Sequence, residues 1–249
     1  MLNTVKNLLL LALLLALPCT PLSAQFKVFP PKLESGELRD EAKALHDSGI
    51  LQALVKELND VFVLPTLVKV MFAECGEANA YFSSEDMEIS MCIELMEDMR
   101  ESLAEDYPNE DDREAIVEGA LTATFLHEVG HALVSVLELP ITGREEDVVD
   151  QLSTWILVEG DMADSVLSAA EIYYLAEDSN DDESFADEHS LNRQRYFNMV
   201  CWVYGSDAEN NQALLDEWEL PEARAEQCES EYAQLSNSWV KLLGDHIRE

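Results

Sequence analysis

Two histidines four residues apart, with a glutamate directly after the first, stand in the run His127-Glu128-Val129-Gly130-His131. On a helix this spacing puts both imidazoles on one face, one turn apart. Two neutral imidazoles so placed can bind one zinc ion. Glu128 sits where its carboxylate can face a zinc-bound water, whose pKa the ion lowers towards neutrality, and can take the proton as general base. Gly130 keeps the helix surface low beside the site, and Leu126, Ala132, Leu133 and Val136 mark the helix as buried. The five-residue pattern also occurs by chance, and paired histidines serve elsewhere as ordinary core or surface residues. The long apolar helix around it and the acids that follow favour the metal.

A hydrolytic zinc site needs a third protein ligand and an open position. Carboxylates follow in Gly143-Arg144-Glu145-Glu146-Asp147-Val148-Val149-Asp150. Glu145, Glu146 and Asp150 are the candidates. Glu146 opens the next helix and Asp150 lies one turn on along the same face. This allows Glu146 to ligate while Asp150 accepts a hydrogen bond from a ligand imidazole and fixes its tautomer. The plainer alternative is that these acids only favour a helix N-terminus, where negative charge is welcome.

The elements that must position these residues read as follows. Residues 25–36 form an extended leader, with Pro30-Pro31 barring a helix. Glu37 to Leu58 reads as one amphipathic helix. Leu67 to Phe72 is strand-prone, and Asn79–Ser83 and Met87–Ile93 flank the turn Ser83-Ser84-Glu85-Asp86 as a hairpin. A helix completes 91–106. After Pro108, Asn109 or Asp111 caps a long helix from about Arg113 to Leu137, stopped by Pro140. Further helices are expected near 144–158, 160–176, 186–204 and 221–243. The order is α+β: mostly helical, with a small mixed sheet and one long helix carrying the histidines. The acidic stretch 177–188 alternates Asp178, Asn180 and Asp182 as a calcium loop does. However, Glu183 replaces the required Gly and His189 the bidentate Glu, so a solvated loop is the better reading.

Lys6, the apolar run Leu8–Leu17, the break at Pro18 and Pro21, and the small residue Ala24 have the order of a cleaved signal peptide over 1–24. The run is short for a membrane span. One domain over 25–249 is then expected, periplasmic or secreted, with no stable membrane span after cleavage. Four cysteines remain: Cys75, Cys92, Cys201 and Cys228. An even count in an exported chain suggests two disulfides, most simply Cys75 with Cys92 and Cys201 with Cys228. The formal net charge of −36 excludes nucleic acid and anionic lipid as natural partners and suits a saline medium.

His127-Glu128-x-x-His131 followed by Glu146-x-x-x-Asp150 resembles the Glu-ligand zincins, thermolysin-like peptidases among them. The resemblance implies that Glu146 is the third ligand and Asp150 its neighbour's support, although the gap between the motifs is shorter here. Asn79-Ala80-Tyr81-Phe82 is similar to their Asn-Ala-aromatic edge strand, which implies that an extended substrate pairs there. Over most of the chain a closer resemblance holds to a bacterial metallopeptidase-like family, the domain of unknown function 4344. It is carried by Cys75-Gly76, Asn79-Ala80-Tyr81, Cys92-Ile93-Glu94-Leu95, the histidine motif, Gly143 to Gln151, Asp187-Glu188-His189, Gln194-Arg195 and the tail from Cys201 to Trp239. It implies a zincin-like fold and site and supplies no substrate.

Zinc peptidases also place a His, Tyr or Arg opposite the metal to stabilise the oxyanion. His189, Arg195 or Tyr196 could serve, with Asp187 and Glu188 orienting His189; the bland alternative is a helix cap with a surface histidine. The expected activity is peptide-bond hydrolysis with one Zn2+ per chain, Glu128 and His189 as catalytic groups, and a peptide or protein as substrate. The rival is a non-catalytic exported binding protein with a structural zinc. A fourth protein donor on the metal would favour the rival.

Overall fold

The computed structural model describes residues 25–176 and 182–248. The expected signal segment 1–24, and Asp178 and Asn180 of the acidic stretch, lie outside the described residues.

The leader does more than extend. Phe26–Val28 (β1) pairs in parallel with Val68–Ala73 (β2). This strand went unread in the sequence because three residues carry too little alternation to separate a strand from a leader. The expected single helix over 37–58 is two, Arg39–Ser48 (α1) and Ile50–Val61 (α2). Gly49 takes φ +79° between them, a left-handed turn that ends α1 and redirects the chain. Both helices are amphipathic, so the apolar pattern runs through the break.

The expected hairpin forms: Ala80–Ser83 (β3) lies antiparallel to Glu88–Cys92 (β4), which is parallel to β2. The strand order β1-β2-β4-β3 leaves β3 on an edge. β4 runs straight into Ile93–Leu103 (α3).

The long helix, Glu110–Val136 (α4), starts where Asn109 accepts a hydrogen bond from the Asp111 amide. Glu110, Asp111 and Asp112 in its first turn complement the helix dipole. From Val117 to Val134 nearly every side chain is buried, so α4 is the axis of the core. The chain then turns at Glu138, which has a positive φ, and at Pro140, into Glu145–Glu159 (α5). Ala163–Leu175 (α6) follows, then the short Asp182–Ala186 (α7) and Asn192–Ser206 (α8). Leu214–Glu217 (α9) leads to Glu222–Leu243 (α10). The result is the expected α+β arrangement, with α5 and α6 packed on α4, α8 packed against α5, α6 and α10, and the sheet beside α4.

Two disulfides pair as local connectivity predicts, Cys75 with Cys92 and Cys201 with Cys228. Such bonds fit an oxidising compartment. Among the described residues no helix is long and apolar enough to cross a membrane.

Candidate metal centre

α4 brings His127, Glu128 and His131 to the crossing with α5, which supplies Glu145, Glu146 and Asp150. The crossing is close because Gly130 has no side chain: a Cβ there would stand 2.8 Å from the Val149 Cβ. Glu146 faces His127 and His131, with Glu146 Oε2 3.1 Å from His127 Nε2 and Glu146 Oε1 3.4 Å from His131 Nε2. The two Nε2 atoms are 3.3 Å apart. Behind them the imidazoles are held by different acids. His127 Nδ1 donates to Asp150 at 2.8 Å, and His131 Nδ1 donates to Glu145 at 2.8 Å.

A carboxylate only accepts, so each Nδ1 must carry the proton and each neutral imidazole turns an Nε2 lone pair inwards. Two lone pairs and a carboxylate facing one another within these distances repel unless a positive charge lies among them. That charge can be protons or a metal. Four donors arranged tetrahedrally at about 2.0–2.1 Å from one ion stand about 3.3 Å apart, which is the spacing of these three. The residues present therefore fit a metal ion, and the group His127, His131 and Glu146 could hold one.

The electrostatics carry the same demand. Burial works against a charged His127, yet its hydrogen bonds to Asp150 and Glu146 push it up to about 9. Burial likewise opposes Glu146 and Asp150. Contacts with His127, His131 and His189 nevertheless hold Glu146 far below the usual carboxylate range, and Arg195 and His127 do so for Asp150. Glu128 goes the other way: burial, with the Glu146 charge, raises its carboxyl against the pull of His127 and His131.

A cleft of about 580 Å3 opens over the three donors. Its wall includes Glu128 and the edge residues Asn79, Ala80, Tyr81 and Phe82. His189 lines it too. Its Nε2 lies 3.0 Å from Glu146 Oε2 and its Nδ1 3.0 Å from Asp187. The structure thus brings together His127, Glu128, His131, Glu146, Asp150 and His189, and sets Asn79, Ala80 and Tyr81 on the same cleft.

The sequence profile of a family described as "putative metallopeptidase", the domain of unknown function 4344, matches residues 31–243. The chain belongs to this family. No curated protein and no solved structure matches it.

Within this member of the family, four assignments need correcting or adding. Arg195 lines the cleft but is not a free donor there: its Nε and Nη2 both bond to Asp150 at 2.8 Å. Tyr196 is turned away, its hydroxyl donating to the Trp218 carbonyl at 2.6 Å. Glu145, weighed as a ligand, instead orients His131. Tyr173, unremarked in the sequence, lies under the Arg195 guanidinium at 4.1 Å and lines the cleft. Tyr173 carried no local signal, and the pairing of Arg195 with Asp150 carried none either, because each contact joins residues distant in sequence. Cys201 and Cys228 join α8 to α10 and are absent from the cleft wall.

Proposed function

We propose that this protein is an exported zinc peptidase in which His127, His131 and Glu146 hold the metal. The observation that carries the reading is the three-donor group with Glu128 beside it in an open cleft. The two-nitrogen, one-carboxylate donor set suits zinc. A bound zinc ion would supply Lewis acidity, making water a nucleophile near neutral pH and polarising the scissile carbonyl.

The chain's own groups do the rest. Glu128, with its carboxyl raised by burial, takes a proton from the attacking water at its carboxylate oxygen and delivers it to the departing amine. His189, held by Asp187, donates from Nε2 towards the oxygen that gains charge. Asp150 and Glu145 keep the two ligand imidazoles in the tautomer that presents Nε2. The free edge of β3 offers backbone groups to an extended peptide. A purely structural zinc would need a fourth protein donor. His189 does not join the three-donor group, and its ring centroid is 6.4 Å from that of His127.

The test pairs a metal assay with a peptide-library digest. Protein beginning at Gln25 should hold about one zinc per chain and cleave a subset of peptides. Glu128→Gln should keep the zinc and lose roughly 10²–10⁴-fold in kcat. A wild type that takes up no zinc after zinc-replete refolding would overturn the reading.

A further inference from the structure

The chain enters the edge strand β3 through residues 74–79, which have no regular structure of their own. This segment is fastened repeatedly to one place, the start of α3. Cys75 is bonded to Cys92, the residue that precedes the helix. The Glu94 carboxylate, in the first turn of α3, accepts from the Cys75 amide at 3.1 Å and from the Gly76 amide at 2.7 Å. The Cys92 amide donates to the Asn79 carbonyl at 3.1 Å.

The other end of the segment leads into the cleft. Asn79, Ala80, Tyr81 and Phe82 line it together with Glu128 and His189. An acid in the first turn of a helix needs no partner beyond the helix dipole. Glu94 instead directs its oxygens to two amides of a neighbouring loop.

We propose that Glu94, together with the Cys75–Cys92 disulfide, is a positioning device for the substrate edge. It fixes the 74–79 loop and through it the place and register at which β3 meets an extended peptide. Glu94 belongs neither to the metal-donor group nor to the cleft lining, so it reaches the site through the loop that leads into β3. The proposal rests on β3 being the substrate edge of the peptidase read above.

The test uses Glu94→Ala and Glu94→Gln in the full mature protein. Zinc content, KM and kcat on a peptide found in the library digest, and amide exchange are measured together. Glu94→Ala should raise KM roughly tenfold, the size of a lost charge-assisted hydrogen bond, with kcat and zinc content unchanged. Glu94→Gln, whose amide oxygen still accepts, should recover most of that loss. Amides of the β3–β4 ladder should exchange faster in Glu94→Ala, while those of β2 and α4 stay as in the wild type. A fall in kcat with loss of zinc, or an unchanged KM, would overturn the proposal. The exchange experiment needs no substrate. Should the wild type cleave nothing, selective loosening of the ladder still upholds the clamp, and unaltered exchange overturns it.

Discussion

At the scale of the residue, three acids on one helix have three different jobs, and the chemistry depends on keeping them apart. Glu146 faces the two Nε2 atoms, Glu145 holds His131 from behind, and Asp150 holds His127 from behind while receiving both arms of Arg195. Asp150 and Arg195 are both buried, so breaking their pair leaves a charge without compensation, at a cost of about 3–5 kcal/mol. Asp150→Asn should therefore do two separable things: lower zinc affinity roughly 10–100-fold by weakening the brace on His127, and lower the melting temperature. Adding Arg195→Met removes the orphaned charge and should restore much of the melting temperature without restoring zinc affinity. Unchanged zinc affinity in Asp150→Asn would show that His127 needs no brace. The motif from His127 to His131 was legible in the sequence because helical spacing alone fixes its face. The choice among Glu145, Glu146 and Asp150 was not, since all three lie on one stretch of α5 and only the angle of its crossing with α4 decides which oxygen meets which nitrogen.

At the scale of the element, that crossing is set by Gly130 and Val149. Gly130→Ala must push the two helices apart or displace Val149, and overpacking of this kind costs about 1–3 kcal/mol. Because Glu146 and Asp150 lie on either side of Val149, the same substitution should weaken zinc binding, whereas alanine at an exposed helical site should not. Calorimetric melting and zinc titration of Gly130→Ala check both effects; a stable variant with native zinc affinity would mean that the crossing has slack. A second element is held less obviously. The Glu74 carboxylate accepts from the amides of Glu34, Ser35 and Gly36 and from the Ser35 hydroxyl, tying the leader to the end of β2. The hydroxyl and amide of Ser35 lower Glu74 to about 2. A carboxyl lowered on folding stabilises the native state above its unfolded pKa of 4.5, and this contribution fades as pH falls through about 2. NMR titration should find the Glu74 carboxyl near 2, with the Ser35 and Gly36 amide shifts moving alongside it; a midpoint near 4.5 would remove the clamp. Helix positions and the hairpin were readable from periodicity and turn residues. The break at Gly49 was not, since both sides of it are equally amphipathic, and neither was β1, which is a strand only because β2 lies beside it.

At the scale of the whole molecule, 51 acidic residues face 15 basic ones. The few cations within reach are partly committed, Arg195 to Asp150, Arg100 to Glu114 and Arg224 to Glu231. Most of the acids are exposed and repel one another through solvent, a force that favours the expanded chain. The site adds to the load by collecting Glu128, Glu145, Glu146 and Glu188 around one cleft, so a divalent cation relieves local repulsion as well as filling its donor shell. The two contributions differ in range. Salt screens the dispersed surface charges, the Debye length falling from about 10 Å at 0.1 M to about 3 Å at 1 M, but it screens buried groups much less. The melting temperature of the metal-free protein should therefore climb steadily from 0.1 to 1 M sodium chloride, and potassium chloride should act alike. Saturating zinc should add a further rise at every salt concentration, because stabilisation by a ligand follows its concentration relative to its Kd. A melting temperature independent of salt would mean that the acids are spaced widely enough for water alone to keep them from one another. A zinc effect that disappeared at high salt would place the ion among the surface acids and not between His127, His131 and Glu146.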